Sequence, residues 1–245
     1  MSRAQVQLIG LLAFASGCVD AATLMALGGA FTSVITGNVI FVGRAIGTTS
    51  LTPALDAMTA IAGYMAGVAV GSRLAHTVGR TRADAPWPAR ATMVMAVEWV
   101  ILLGVNVAWF SYRASPPTDA VYLMLAPAAL ALGMQGAAAR TIAGNPSTTY
   151  MTGALTALIE GLAIGRRQTA ELAAAVGLAG LVAGAAVTAV LVVHARSYAL
   201  LPPLAAIRLV VLVKAGHHRE EERERASRET DPPAANTSGW NPAPE

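Results

Sequence analysis

Acidic side chains inside apolar stretches are the residues of this chain most able to carry chemistry. Asp20 lies well inside the apolar run from Val6 to Leu27, and Glu98 lies beside Trp99 in another run. A carboxylate at the centre of a bilayer costs about 2.5–3.5 kcal/mol on insertion scales, and such groups commonly bind protons or ions. Asp20 is therefore either a proton- or cation-binding group or a carboxylate that reaches the headgroups or caps a neighbouring helix. Glu98 either lies at the membrane interface or pairs with an arginine.

Two Thr-Gly motifs form a second candidate site, because Thr36-Gly37 returns 116 positions later as Thr152-Gly153. Each motif interrupts an apolar stretch, so its hydroxyl group and open backbone could contact a substrate. The alternative is a tight helix crossing in which small residues bring two backbones together. Ala154 stands where Asn38 follows the first motif, so the two copies are not equivalent. The predicted substrate-binding residues are Asp20, Thr36, Gly37, Asn38, Gln135, Thr152 and Gly153.

Other patterns of catalytic or ligand-binding residues are not found in the sequence. His194, His217 and His218 have no cysteine or carboxylate at metal-ligand spacing within a rigid element. The glycine-rich stretches lack the Gly-Lys-Ser/Thr ending of a phosphate-binding loop, and no nucleophile stands beside a base. We therefore expect no enzymatic activity, no metal site and no cofactor.

The composition is that of an integral membrane protein. Hydrophobic residues make up 55% of the chain, charged residues only 13%, and the mean hydropathy is +0.54, whereas soluble domains have about 25% charged residues. Aromatic residues are scarce at 5%, so small side chains dominate, as close packing of helices inside lipid requires. The arginines lie between apolar spans and form no patch, which favours a role in membrane orientation over nucleic-acid binding.

The chain consists of two copies of one unit, and such repeats are a strong guide to architecture. A shift of 116 positions places Gly17 on Gly133, and a shift of 117 places Gly63 on Gly180. Glycines four residues apart share one helical face and allow a neighbouring backbone to approach closely. The predicted helix-packing residues are Gly63, Gly67, Gly71, Gly180 and Gly184.

The two copies are predicted to be inverted relative to each other. Eight apolar segments are present, but the two with the Thr-Gly motifs, Phe31–Ile46 and Ser147–Gly165, are short and interrupted. If these two enter and leave on one side, the arginines of Arg73–Arg90 and of Arg166-Arg167 all lie in the cytoplasm, as the positive-inside rule requires. Each copy then crosses three times, which inverts the second copy, as in many secondary transporters. We predict an all-α polytopic membrane protein with about six transmembrane helices, two short re-entrant helices and two inverted repeats.

The membrane domain is predicted to comprise residues 1–214, with repeat one at about 5–110 and repeat two at about 119–214. Residues 215–245 are charged and proline-rich, so they cannot bury enough apolar surface to offset the entropy of ordering. We expect a disordered tail after a turn or two of helix. Both termini are predicted to be cytoplasmic, and the protein to lie in the cell (inner) membrane.

Four short motifs carry a resemblance to a known family: Gly17–Asp20 as Gly-x-x-Asp, Thr36–Asn38 as Thr-Gly-Asn, Gly133-Met134-Gln135, and Met151-Thr152-Gly153. In this order they are similar to the YoaK-type family of bacterial membrane proteins, domain of unknown function 1275. The resemblance covers about residues 5 to 214. It implies a multi-pass protein with six transmembrane helices, and it brings no substrate, reaction or cofactor.

The leading functional hypothesis is a transporter or permease for a small solute. In it the Thr-Gly segments flank a central site, Asp20 supplies charge or couples protons, and the faces of Gly63 and Gly180 let the halves rock. The alternative is a non-transporting membrane scaffold whose glycine faces serve assembly. The expected partners are the lipid bilayer and an unidentified small molecule or ion; a homo-oligomer is an open alternative, and no nucleic acid is expected.

Overall fold

The computed structural model describes residues 2–77, 87–142, 151–165 and 169–230, which are α-helical apart from short connections and one 3-10 turn, Arg196–Tyr198. The helices are α1 (Arg3–Ala26), α2 (Ile35–Gly47), α3 (Leu51–Thr77), α4 (Ala89–Ser111), α5 (Thr118–Ala139), α6 (Met151–Ala163), α7 (Thr169–His194) and α8 (Leu201–Thr230). No strand occurs in these residues, and the prediction of an all-α polytopic membrane protein is confirmed.

Helix length separates the elements into two groups. Six helices in the described part of the chain are long and apolar enough to cross a membrane: α1, α3, α4, α5, α7 and α8. The other two, α2 and α6, contain 13 residues each. At 1.5 Å per residue they are about 20 Å long, shorter than the roughly 30 Å of hydrocarbon. The six long helices and two short ones match the numbers expected from the sequence.

Helices α1 and α7 touch backbone to backbone through glycine. A Cβ atom added at Gly180 would collide with the carbonyl oxygen of Gly10, and one added at Gly184 would collide with that of Phe14. The residue numbers rise together along both helices, so α1 and α7 run in the same direction. This pair joins the first helix of repeat one to the third helix of repeat two.

Helices α3 and α5 repeat this contact position by position. A Cβ atom at Gly63 would collide with the carbonyl oxygen of Ala126, and one at Gly67 would collide with that of Leu130. The shifts of 116 and 117 positions that relate the two halves of the sequence convert the first pair of contacts into the second. These two helices also run in the same direction. The repeats therefore exchange helices, since each first helix packs on the other repeat's third helix.

The fourth helices of the repeats, α4 and α8, run in opposite directions. The Trp99 indole Nε1 donates a hydrogen bond to the Leu204 carbonyl at 3.0 Å, and the Trp109 Nε1 donates one to the Arg196 carbonyl at 3.0 Å. Residue numbers thus rise along α4 as they fall along the segment that leads into α8. Two core clusters, one near each end of the bundle, contain residues from α1, α4, α5 and α8.

The directions of the remaining helices follow from these contacts. Leu8 shares a core cluster with Val210, whereas Leu27 shares the other cluster with Leu200, so α1 is antiparallel to α8. The short connection between α4 and α5 makes those two antiparallel. Since α3 is parallel to α5, and both α5 and α8 oppose α4, α3 is parallel to α8. Helices α1 and α3 therefore run in opposite directions, with α2 between them.

The end of α8 differs from the expectation of a turn or two of helix beyond residue 214, because the helix continues to Thr230. Residues 219–229 are mostly Arg, Glu and Ala, which are good helix formers even where there is no core to pack on. Residues 231–245 lie outside the described part of the chain. So do Arg166, Arg167 and residues 78–86 of the predicted arginine-rich loop.

The glycine contacts predict how individual substitutions affect stability. Gly67→Ala and Gly184→Ala each place a methyl group against a partner carbonyl, and overpacking of this kind costs about 1–3 kcal/mol. Gly104→Ala is the matched control, because a Cβ at Gly104 meets no atom within 4 Å. In thermal unfolding in detergent, followed by helical circular dichroism, we expect a lower midpoint for the first two variants only. Equal midpoints for all three variants would contradict the proposed backbone contacts.

Candidate functional site

Asp20 is buried and accepts four hydrogen bonds from two consecutive residues. Its Oδ1 accepts from the backbone N–H of Thr32 (2.6 Å), the hydroxyl of Thr32 (2.8 Å) and the backbone N–H of Ser33 (2.8 Å). Its Oδ2 accepts from the Ser33 hydroxyl at 2.5 Å. All four donors lie in the segment that leads into α2. Asp20 therefore binds the segment just before α2, whose N-cap residue, Val34, has no side-chain capping bond.

Asn38 holds the same segment from the other side. Its Oδ1 accepts from the Phe31 backbone N–H at 2.9 Å, and its Nδ2 donates to the Phe31 carbonyl at 2.6 Å. The turn before this segment uses positive φ angles at Gly28 (82°) and Gly29 (74°), a backbone conformation that glycine adopts without steric cost. Asp20 and Asn38 together fix the entry to α2.

Sequence reasoning missed Thr32 and Ser33, which supply every hydrogen bond to Asp20. A local signal was present, because two adjacent hydroxyl residues stand between a Gly-Gly turn and the start of a helix. Ser and Thr at such positions commonly bond to nearby polar groups. Their partner could not be identified from spacing alone, since it lies 12 and 13 residues away on another helix.

In sequence, the second repeat lacks the side chains that correspond to Asp20 and Asn38. A shift of 116 positions places Gly136 where repeat one has Asp20, and Ala154 where it has Asn38. The segment that corresponds to Thr32 and Ser33 lies outside the described residues. The acidic anchor therefore belongs to repeat one alone.

The Thr-Gly motifs lie on the exposed sides of the two short helices. Thr36 and Thr152 are exposed, and a Cβ at Gly153 would meet no atom within 4 Å. Gly37 lies closer to its surroundings, since a Cβ there would be 3.2 Å from the Phe31 ring. Helix α2 packs chiefly on α3, and α6 packs chiefly on α7. No described contact joins Thr36 to Thr152.

Gln135 is buried where α5 meets α1. Its Nε2 donates to the Ser16 hydroxyl at 2.9 Å and to the Leu12 carbonyl at 3.2 Å. Its Oε1 is buried without a hydrogen-bond partner in the described residues. Gln135 is thus the predicted site residue that contacts a helix of the other repeat.

Glu98 is fully buried, with 0% of its surface exposed. Both of its carboxyl oxygens are buried without a hydrogen-bond partner in the described part of the chain. The described residues supply no arginine partner for Glu98.

An apolar cavity of about 370 Å³ lies between α2 and α3. Its lining consists of Val39, Val42, Met58, Ile61, Ala62 and Met65. None of the predicted substrate-binding residues lines it, so this cavity is not the central site expected from the sequence. Among the described residues, no group of three or more His, Cys, Asp or Glu side chains is placed to hold a metal ion.

The contacts of Asp20 predict a large effect of its substitution on stability. Asp20→Asn exchanges one acceptor oxygen for an N–H donor that faces other donors, and losing hydrogen bonds to a charged group costs on the order of 3 kcal/mol. Asp119→Asn is the matched control, because Asp119 is exposed in the first turn of α5. We expect the unfolding midpoint in detergent to fall for Asp20→Asn and to stay unchanged for Asp119→Asn. An unchanged midpoint for Asp20→Asn would show that these bonds do not hold α2.

Comparison with known proteins identifies the relationships of the chain. Residues 8–213 match the family described as "Protein of unknown function (DUF1275)". The "UPF0700 transmembrane protein YoaK" of Bacillus subtilis (strain 168) is 31% identical over 154 residues, which span 62% of this chain and 65% of that protein, just under two thirds of its length. No solved structure gives a significant match. Because the family match covers most of the described membrane helices, the chain belongs to the DUF1275 family of multi-pass membrane proteins.

Proposed function

We propose that the protein is a transporter for a small solute, with six crossings of the cell membrane and two inverted repeats, α1–α4 and α5–α8. The observation that carries this proposal is the antiparallel contact of α4 with α8. These helices occupy the same place in the two repeats. If a rotation axis along the membrane normal related the two repeats, α4 and α8 would be parallel. A rotation axis in the membrane plane makes α4 and α8 antiparallel.

The two short helices support the same arrangement. Helices α1 and α3 run in opposite directions, so the chain reverses its direction only once between them. A helix of about 20 Å that enters and leaves on one side accounts for this single reversal. Interrupted segments of this kind are tolerated in a membrane where they are buried in protein or line a wet cavity. They are also common at the substrate sites of secondary transporters.

The helix contacts divide the bundle into two bodies, each made from both repeats. The most extensive contacts, α1 with α7 and α3 with α5, form the centres of the two bodies. We assign α6 and α8 to the first body and α2 and α4 to the second, although α8 contacts α4 as extensively as it contacts α1. The main contacts between them are α4 with α8 and the meeting of α5 with α1 at Gln135. Rocking of two such bodies about their interface is how many transporters with inverted repeats alternate access. The solute path is proposed to follow this interface.

The same contacts weigh against the scaffold hypothesis. That hypothesis requires glycine faces that are free to bind a partner chain. The faces that contain Gly63, Gly67, Gly180 and Gly184 are instead covered by α5 and α1 of the same chain.

The proposed topology predicts which ends of the helices share a side of the membrane. Single cysteines are introduced at Ser2 and Ser115, both exposed, while the native Cys18 is buried and stays in place. A thiol reagent that cannot cross the membrane should label these positions from opposite sides in intact cells and inverted vesicles. If all eight helices crossed, both positions would lie on the same side, and labelling from one side only would contradict the proposal.

Solute flux tests transport directly. The purified protein is reconstituted into phospholipid vesicles and exposed to amino acids, small organic acids, sugars and inorganic ions, with protein-free vesicles as the control. We expect at least one class to give a saturable flux. Asp20→Asn should lower the maximal flux and leave its ion dependence unchanged, because the carboxylate is occupied by Thr32 and Ser33. No flux above that of the protein-free vesicles for any class would count against a transporter.

A further inference from the structure

Glu98 lies on the buried face of α4, at the level where this helix contacts the other body. Its neighbours along that face, Met95 and Leu102, are both buried. The next residue, Trp99, donates its indole hydrogen bond to Leu204 on α8. The carboxyl group therefore lies close to the seam along which the two bodies meet.

Buried polar groups from both bodies gather at this level of the bundle. Leu12, Met95 and Met134 belong to one core cluster, and Ala15, Leu102 and Leu132 belong to the other. Glu98, Ser16 and Gln135 occupy the boundary between the two clusters on α4, α1 and α5. Glu98 Oε1 and Oε2 and Gln135 Oε1 have no hydrogen-bond partner among the described residues. These unpartnered oxygens are not explained by the packing of the helices around them.

We infer that Glu98 is a proton-binding site, and that the transport proposed above is coupled to protons through it. An ionised carboxylate with neither donors nor a cation is strongly disfavoured inside a protein, so a group in this position is held uncharged. Ionisable residues that face the interior of a membrane bundle commonly act as proton carriers. The coupling role rests on the proposed function, whereas the proton-binding site does not.

The basic groups of the neighbouring helices are engaged elsewhere or point outward. On α8, Arg208 is exposed, and Lys214 packs 4.7 Å from the centre of the Trp87 ring. His218 lies 3.5 Å from the hydroxyl of Thr92. Lys214 and His218 lie about 15 and 21 Å along the axis from Leu204, whereas Arg208 lies about 6 Å away.

Helices α5 and α3 also pack on α4. Among their described residues, no titratable side chain forms a hydrogen bond or ion pair with Glu98. On α5, residues 125–139 contain no titratable side chain. On α3, Arg73 is exposed and Tyr64 packs in a separate core cluster with Leu125. On α4 itself, Arg90 lies eight residues away, about 12 Å along the axis, and its Nη1 donates to the Ala75 carbonyl. Among the described residues, no cation is therefore placed to hold Glu98 as a carboxylate.

Rocking of the two bodies gives the carboxyl group access to water. When the seam opens toward one side, the O–H bond breaks and the proton passes to a water molecule, which leaves the carboxylate and a hydronium ion. When it opens toward the other side, a hydronium ion returns a proton to the same oxygen. The ionised carboxylate of Glu98 is tolerated only while the seam is open and hydrated. When Glu98 has lost its proton and no solute is bound, closing the seam is therefore unfavourable.

Infrared spectroscopy of the protein in an alkyl maltoside detergent, whose molecules contain no carbonyl group, detects this protonated carboxyl group without a solute or a flux. Exposed carboxyl groups are ionised at neutral pH, so a carbonyl band from a protonated carboxyl group marks a buried one. We expect this band in the wild type, its loss in Glu98→Gln, and a shift in its frequency in Glu98→Asp. Asp20→Asn, the matched control, should keep it, and the amide band of the same sample reports whether each variant is folded.

Two outcomes would overturn the site: a wild type without the band, or a band that is unchanged in both Glu98 variants. Coupling is read separately in vesicles that contain a pH-sensitive dye. Glu98→Gln should lose solute-driven proton movement while it retains exchange of labelled for unlabelled solute. Proton movement that persists in Glu98→Gln would remove the coupling role. A carbonyl band that depends on Glu98, in a protein that moves no solute, would support the proton-binding site and contradict the proposed transport function.

Discussion

Direct contact between helix backbones is the interaction on which the rest of this structure depends. Lipid is as apolar as the side chains that face it, so helices within it associate through close packing and not through the hydrophobic effect. At Gly184 and Gly67 the missing side chain lets the carbonyl oxygens of Phe14 and Leu130 approach the neighbouring helix. Both contacts join one repeat to the other. Neither repeat can therefore be a separate body, and any large motion must divide the bundle elsewhere.

The alternative division follows the seam between α4 and α8, where the packing is of a different kind. Glycine contacts are scarce there, and large side chains such as Trp99 and Trp109 bridge the helices through single hydrogen bonds to backbone carbonyls. Glu98 and Gln135 leave buried oxygens without partners in the described residues near the same seam. An interior in which polar groups lack partners is costly. Near this seam, the described residues therefore include buried oxygens whose loss of hydration is not offset by a hydrogen bond.

The two repeats share their packing but not their polar anchors. Asp20 and Asn38 bind the segment that leads into α2, and their counterparts by sequence are Gly136 and Ala154. The entry to α6 cannot be held by the same side chains.

Much of the fold could be predicted from the sequence because it depends on local patterns. Six long apolar stretches, two short interrupted ones and glycines at four-residue spacing are each visible within about 20 residues. The packing of helices from one repeat on helices of the other could not be predicted. Glycine spacing shows that a helix has a contact face, but it does not show which helix packs on that face. The candidate site was only partly predicted, because Asp20 and Gln135 were identified as buried polar residues without their partners.

By itself, the sequence determined that this protein is an all-helical membrane protein with six long apolar segments and two short ones. It also determined where small residues would permit close packing, because hydropathy and glycine spacing act over single helices. Only the tertiary structure decided that Asp20 binds the segment before α2 and that Glu98 has no hydrogen-bond partner among the described residues. Those roles depend on which donors reach each carboxyl group, and the donors for Asp20 come from a turn 12 and 13 residues away. For Glu98 the surrounding helices supply no hydrogen bond among the described residues, and no sequence pattern within α4 reveals which side chains those helices present.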